Sequence, residues 1–265
     1  MKALAAYIMR GRMQAGAVIA ACAALSLLLP PVTGPLVWIS AAAVGLVTLR
    51  IGAQQGAIII LGASVVLAAL GMLLSGSPLL GLAFALMLWL PVWALAHTLS
   101  RTGSLSWVLG GVAVLGLLFV SAVHLWMGNS TEVWREVLEI SLRPALEQMS
   151  SLSDPAQMDR VLNDMTRVMT ALLAISLMLS ISVGLFIARW WQSLLYNAGG
   201  FQREFHALKL ARAFALPMVL LLLAVVVAQG EVRQWLLEIV AVLALIYMFQ
   251  GLAWAHRTVA ERNTH

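Results

Sequence analysis

Cysteine and lysine are almost missing from this 265-residue chain. Cys22 is its one cysteine, so no disulfide can close within the chain and no cysteine metal cluster can be built. Lysine occurs only at positions 2 and 209, and no G-x-x-x-x-G-K-[ST] is present. That excludes a P-loop nucleotide site, and any dependence on ATP needs a partner. H-E-x-x-H, C-x-x-C and G-x-S-x-G are absent too, and the histidines at 97, 124, 206, 256 and 265 are too dispersed to show metal-ligand spacing. No catalytic residue, resident metal or cofactor is expected, and the chain reads as no enzyme. Charge is scarce: Asp, Glu, Lys and Arg make up 10% of the residues, against about a quarter in soluble domains. The net charge of +5 comes from basic residues scattered singly, unlike the clustered footprint of a nucleic-acid binder.

What fills the chain is apolar, at 62% of residues. A bilayer span takes about 20 apolar residues, and eight such runs follow one another: Met13–Leu29, Leu36–Leu49, Gly56–Leu74, Leu79–Leu99, Leu105–Met127, Val168–Ala188, Ala213–Ala228 and Trp235–Trp254. The expected fold is all-α, a polytopic transmembrane helical bundle forming a single membrane domain over 1–265. The first two runs are short and broken by Pro30-Pro31 and Gly34-Pro35; if they fail to cross, the count falls to six. Ile19-Ala20-Ala21-Cys22 has two readings, a lipoprotein cleavage box or a thiol inside a membrane helix. The apolar run that continues to Leu29 favours the second.

Eight spans with the N-terminus inside put Lys2, Arg10, Arg12, Arg50, Arg101, Arg189, Arg203, Lys209, Arg212, Arg257 and Arg262 all on the cytoplasmic face. Both termini are then cytoplasmic, as the positive-inside rule requires. The location implied is a bacterial inner (plasma) membrane.

Two amphipathic stretches lie outside the spans. Residues 128–167 read as an extracytoplasmic helical hairpin: Asn129 with Glu132 marks a start, and Arg135/Glu139, Glu139/Arg143 and Arg143/Glu147 pair at i, i+4. Ser150–Ser153 breaks the first helix, and Asp154-Pro155 opens a second that runs on into the sixth span. It either rests on the lipid interface or acts as a lid or partner surface. Residues 197–212, N-A-G-G-F-Q-R-E-F-H-A-L-K-L-A-R, read as a cytoplasmic interfacial helix. Gly199 and Gly200 stop the preceding span; Phe201, Phe205 and Leu208 form an apolar face, and Arg203, His206 and Lys209 a basic one. Gly199, Gly200, Phe201, Arg203, Glu204, Phe205, Leu208 and Lys209 are the candidate lipid or partner contacts. Trp190, Trp191 and Tyr196 just before them read as an aromatic belt.

Ionisable groups inside spans are expensive and point to function. Glu238 and His124 each lie one turn inside the outer end of a span. With Trp126, Gln229, Trp235 and Gln250 they make a candidate outward pocket. The alternative is that Glu238 snorkels to the interface beside Arg233. Gly62-Ala63-Ser64 with His124 would suit an intramembrane serine protease, but a small-residue helix contact and an interfacial histidine account for them. Gly16/Ala20, Ala17/Ala21, Ala20/Ala24 and Gly52/Gly56 give faces for close helix approach.

The segment Gly199, Gly200, Phe201, Glu204, Phe205, Leu208 and Leu210 fits G-G-F-x-x-E-F-x-x-L-x-L, and with Pro217 behind it the chain resembles the YybS-like family of uncharacterised bacterial inner-membrane proteins. That family is distantly similar to the S components of energy-coupling-factor transporters. The resemblance implies a small-molecule binding or transport component without its own ATPase, served by a separate coupling or ATPase subunit, with Ala17 and Ala21 nearest the coupling contact. Eight spans and a large outer hairpin depart from the S-component pattern. The alternative functions are a non-catalytic membrane scaffold or assembly protein and, third, an intramembrane enzyme.

Overall fold

The fold was obtained as a computed structural model, which describes residues 1–28, 34–128, 130–150, 155–210 and 215–262. Among the described residues the regular structure is helical and no strand occurs. The helices are α1 (Lys2–Ile8), α2 (Arg12–Leu28), α3 (Leu36–Arg50), α4 (Ala53–Ser75), α5 (Leu79–Phe84), α6 (Leu90–Thr102), α7 (Leu105–Met127), α8 (Ser130–Ser150), α9 (Pro155–Tyr196), α10 (Gly200–His206), α11 (Ala215–Val227) and α12 (Gly230–Arg262). A π-helical turn, Ala85–Trp89, joins α5 to α6.

Among the described residues five helices are long and apolar enough to cross a membrane: α4, the continuous stretch Gly81–Thr102, α7, α9 and α12. This is the build of a multi-pass membrane protein. The shorter apolar helices are α2, α3 and α11. The break at Pro30-Pro31, the Asn129 start, the residues 151–154 between the hairpin helices and the end of the 197–212 segment at Arg212 lie outside the described residues.

The chain divides into two compact units. One holds 1–112, 177–210 and 249–265, the other 113–176 and 211–248, and the division falls within α7, α9 and α12.

In the first unit α3 is walled in. Every residue from Ser40 to Thr48 is buried, as a helix apolar all round requires, and α2, α4 and α6 pack against it. Small residues bring α9 close: a Cβ added at Gly45 would stand 2.8 Å from the Ala188 Cβ, and one at Gly184 would stand 2.5 Å from the Ala41 Cβ. Ala41/Gly45 and Gly184/Ala188 are thus matched pairs at four-residue spacing, which let two backbones approach where side chains would hold them apart. The expected small face of α2 instead lines an open apolar groove shared with Ile58, Ile59 and Gly62 of α4. The side-chain hydroxyls of α3 are satisfied internally. Ser40 Oγ donates to the Ile19 carbonyl at 2.9 Å and accepts from Trp89 Nε1 at 3.0 Å, and Thr48 Oγ1 donates to the Val44 carbonyl at 2.8 Å. Trp89 ends the π turn just before Pro91. Proline has no N–H to offer the carbonyl four residues back, which favours a local departure from α geometry.

The second unit contains the hairpin. Trp134 Nε1 of α8 donates to Thr170 Oγ1 of α9 at 2.9 Å, and Leu138 and Leu162 are buried. Arg135 pairs with Glu139 at 2.8 Å as its spacing predicts, and it also reaches Asn163 at 2.8 Å and Asp159 at 2.9 Å on α9. The Glu139 hydrogen bond, helped by Asp159, pushes the Arg135 guanidinium above its ordinary value. The second hairpin helix does run unbroken through the expected sixth span, as the 42-residue α9.

Gly184→Ala is expected to cost about 1–3 kcal/mol through overpacking against Ala41. Gly110→Ala, where an added Cβ meets nothing within 4 Å, is expected to be neutral or gain up to about 1 kcal/mol from helix propensity. Thermal unfolding of both variants in detergent micelles measures the difference.

Candidate functional site

A carboxylate on an apolar helix must be paired or pay heavily for burial, and Glu238 of α12 is only 3% exposed. Its Oε2 lies 2.8 Å from His124 Nε2 on α7, and its Oε1 accepts from Gln234 Nε2 at 3.0 Å. Gln234 stands one turn earlier on the same helix, and its Nε2 also donates to the Arg167 backbone carbonyl of α9. An amide nitrogen carries two N–H groups, so one is spent on each acceptor. With a carboxylate as acceptor His124 donates from Nε2, and a neutral ring in that arrangement presents Nδ1 as an acceptor. The Trp235 ring lies 6.3 Å from that of His124, and its Nε1 is buried without a hydrogen-bond partner.

His124 and Gln234 line a cavity of about 560 Å³. Ser130 and Thr131 at the start of α8, Arg167 of α9, and Glu231, Arg233 and Leu237 of α12 complete most of its wall. Glu238 sits behind that wall and fixes two of its members. Of the residues expected to form the pocket, His124, Glu238 and Trp235 are brought together. Trp126 is 89% exposed and Gln229 is also exposed. Gln250 falls in the first unit, with a buried Oε1 that has no partner. Glu238 does not turn to Arg233; its partners are His124 and Gln234. Gln234 was missed, though its i, i+4 relation to Glu238 was visible. Arg167, Ser130 and Thr131 had no such signal, because they arrive from other helices.

Within the 197–212 segment the helix ends earlier than the recurrence of Phe201, Phe205 and Leu208 predicts. Gly199 adopts φ +76°, the left-handed conformation glycine tolerates, and α10 runs only from Gly200 to His206. Leu208 is buried beyond the helix end, and the Lys209 backbone N–H donates to Ser106 Oγ at 3.2 Å. Phe201 and Phe205 stack with centroids 5.7 Å apart, and both meet Phe186. Arg203 bonds to the Asn197 side chain at 3.4 Å. Glu204 is gripped by a guanidinium fork: Arg189 Nε donates to Oε2 at 2.8 Å, and the Arg189 terminal nitrogens reach Glu204 Oε1 and Gln192 Oε1. Trp191 is wholly buried and belongs to the core, not to an aromatic belt; Trp190 and Tyr196 remain partly exposed, with Arg50 4.1 Å over the Tyr196 ring.

Glu238→Ala strips His124 and Gln234 of their shared acceptor and is expected to cost about 1–3 kcal/mol, whereas Glu238→Gln keeps both contacts and should cost under about 1 kcal/mol. Chemical or thermal unfolding in micelles checks the ranking. Comparison with family models, with curated proteins and with solved structures found no match, so the reading of this site rests on its own geometry.

Proposed function

We propose that this chain is a non-catalytic, multi-pass protein of a bacterial inner membrane that binds or moves a small polar molecule through the cavity at His124 and Gln234. The observation that carries the reading is the buried Glu238 behind the cavity wall. Hydrocarbon penalises such a group, and where one persists it usually serves a ligand or ion. Glu238 works here as a positioning residue. By accepting from His124 Nε2 and Gln234 Nε2 it leaves His124 Nδ1 and Gln234 Oε1 as acceptors, while Arg167 and Arg233 bring positive charge to the same wall beside Glu231. The ligand chemistry that fits is a small molecule with hydrogen-bond donors at one end and an anionic group at the other.

In the topology that accompanies this reading, eight spans keep both termini cytoplasmic, and the cavity opens outward beside the hairpin. Membership of the YybS-like family belongs to the same proposal, and energy comes from a gradient or a separate coupling or ATPase subunit.

The test is purification in mild detergent followed by mass spectrometry of bound small molecules and proteins. Wild type should retain a ligand that Glu238→Gln and Arg233→Ala lose by tenfold or more at unchanged membrane levels. Gln at 238 donates to His124 and so switches its tautomer, turning Nδ1 from acceptor to donor. Equal retention by all three proteins overturns the reading.

A scaffold role is the second reading, supported by the partly open groove of about 640 Å³ in the first unit, walled by Trp190, Leu194, Phe201 and Phe205. It predicts that Phe201→Ala with Phe205→Ala shifts the complex seen on native gels. A wild-type profile in the double variant removes this alternative.

A further inference from the structure

We infer that His206 and His256 form a binding site for a divalent transition-metal ion of the zinc, nickel and copper group. Fifty positions separate them in sequence, yet α10 and the end of α12 bring His206 Nε2 to 2.7 Å from His256 Nδ1, with ring centroids 5.0 Å apart. Two imidazole nitrogens that face each other so closely have two uses, to share one proton or to share one cation. Metal–nitrogen bonds of about 2.0–2.1 Å meeting near a right or tetrahedral angle set the two nitrogens about 2.9–3.4 Å apart. A few tenths of an ångström and a turn of the rings therefore convert the pair into a bidentate ligand. His256 is exposed and His206 half-buried, so the ion has access and the side chains have room to turn. Neutral imidazole suits zinc, copper and nickel, with copper the tightest by the general order of divalent affinities.

The surroundings hold this pair in place without consuming it. Phe205 stands edge-on to His256 at 6.2 Å and stacks on Phe201, and the Arg189 fork anchors Glu204 on the same short helix. The nearest cations on these two elements are engaged elsewhere, Arg257 with Glu261 at 2.7 Å and Arg203 with Asn197. No group of three or more His, Cys, Asp or Glu is assembled for a metal among the described residues, so water completes the coordination. Such a site is open, unlike the closed four-ligand sites that hold structural zinc, and a bound ion would clamp α10 to α12.

The experiment uses the full chain in detergent, stripped with chelator and titrated with zinc, nickel or copper chloride by calorimetry. One equivalent should bind. His206→Gln and His256→Gln, which keep a hydrogen-bonding side chain, should each weaken it at least tenfold, and the double variant should be no weaker than either single one, because each change alone destroys the chelate. His97→Gln should bind as wild type does. Nickel should raise the thermal midpoint of wild type and of neither site variant, while all melt alike without metal, which separates a lost ligand from a lost fold. Less than a tenfold effect in either site variant, or loss of binding in His97→Gln, overturns the inference.

Discussion

The close approach of α3 to α9 is the constraint on which the first unit depends. Lipid tails are as apolar as leucine, so helices in a membrane gain little by hiding from them and are held by dispersion and internal hydrogen bonds. Gly45 against Ala188 and Ala41 against Gly184 remove the side chains that would keep two backbones apart. With that face flush, α3 can be enclosed on its other sides by α2, α4 and α6. Enclosure then dictates the rest: Ser40 and Thr48 have no water to turn to, so Ser40 bridges the Ile19 carbonyl and the Trp89 indole, and Thr48 turns back on its own helix.

Charge is handled by the same economy of partners in both units. Arg189 offers a planar fork to Glu204, the geometry in which guanidinium and carboxylate satisfy one another most fully, and so fixes a seven-residue helix too short to be stable by itself. Glu238 is satisfied by an imidazole and an amide from two different helices. Both partners also line the neighbouring cavity, so the carboxylate behind them sets how they face it.

Much of this was legible in the sequence where a single helix decides the matter. Apolar runs without charge marked the helices; Asp154-Pro155, opening a helix that runs on into the sixth apolar run, foretold the continuity of α9; and counting inward from span ends put Glu238 and His124 at one depth. What escaped needed a second helix. A helix buried on all sides and one facing lipid are equally apolar, so nothing in the sequence marked α3 as the helix that the others enclose. Arg135 with Glu139 was readable at four residues, whereas Asp159 and Asn163 are set by the packing of α8 on α9. The recurrence of Phe201, Phe205 and Leu208 predicted a helix through 208. Leu208 is buried as that recurrence required, but on backbone that has already left the helix, since burial constrains a side chain and leaves the route of the main chain open.

The π turn before Pro91 carries a consequence for register. It holds about one residue more than an α turn, and each helical residue advances the face by about 100°. The two parts of the Gly81–Thr102 span are therefore out of phase with each other. α5 sets its face against α4, α6 sets its face against α3, and no single straight stripe serves both. Ala85–Trp89 acts as the coupling that lets one crossing answer to two neighbours. Removing one residue there would close the turn to α geometry with both faces kept, because the extra residue is what the π turn absorbs.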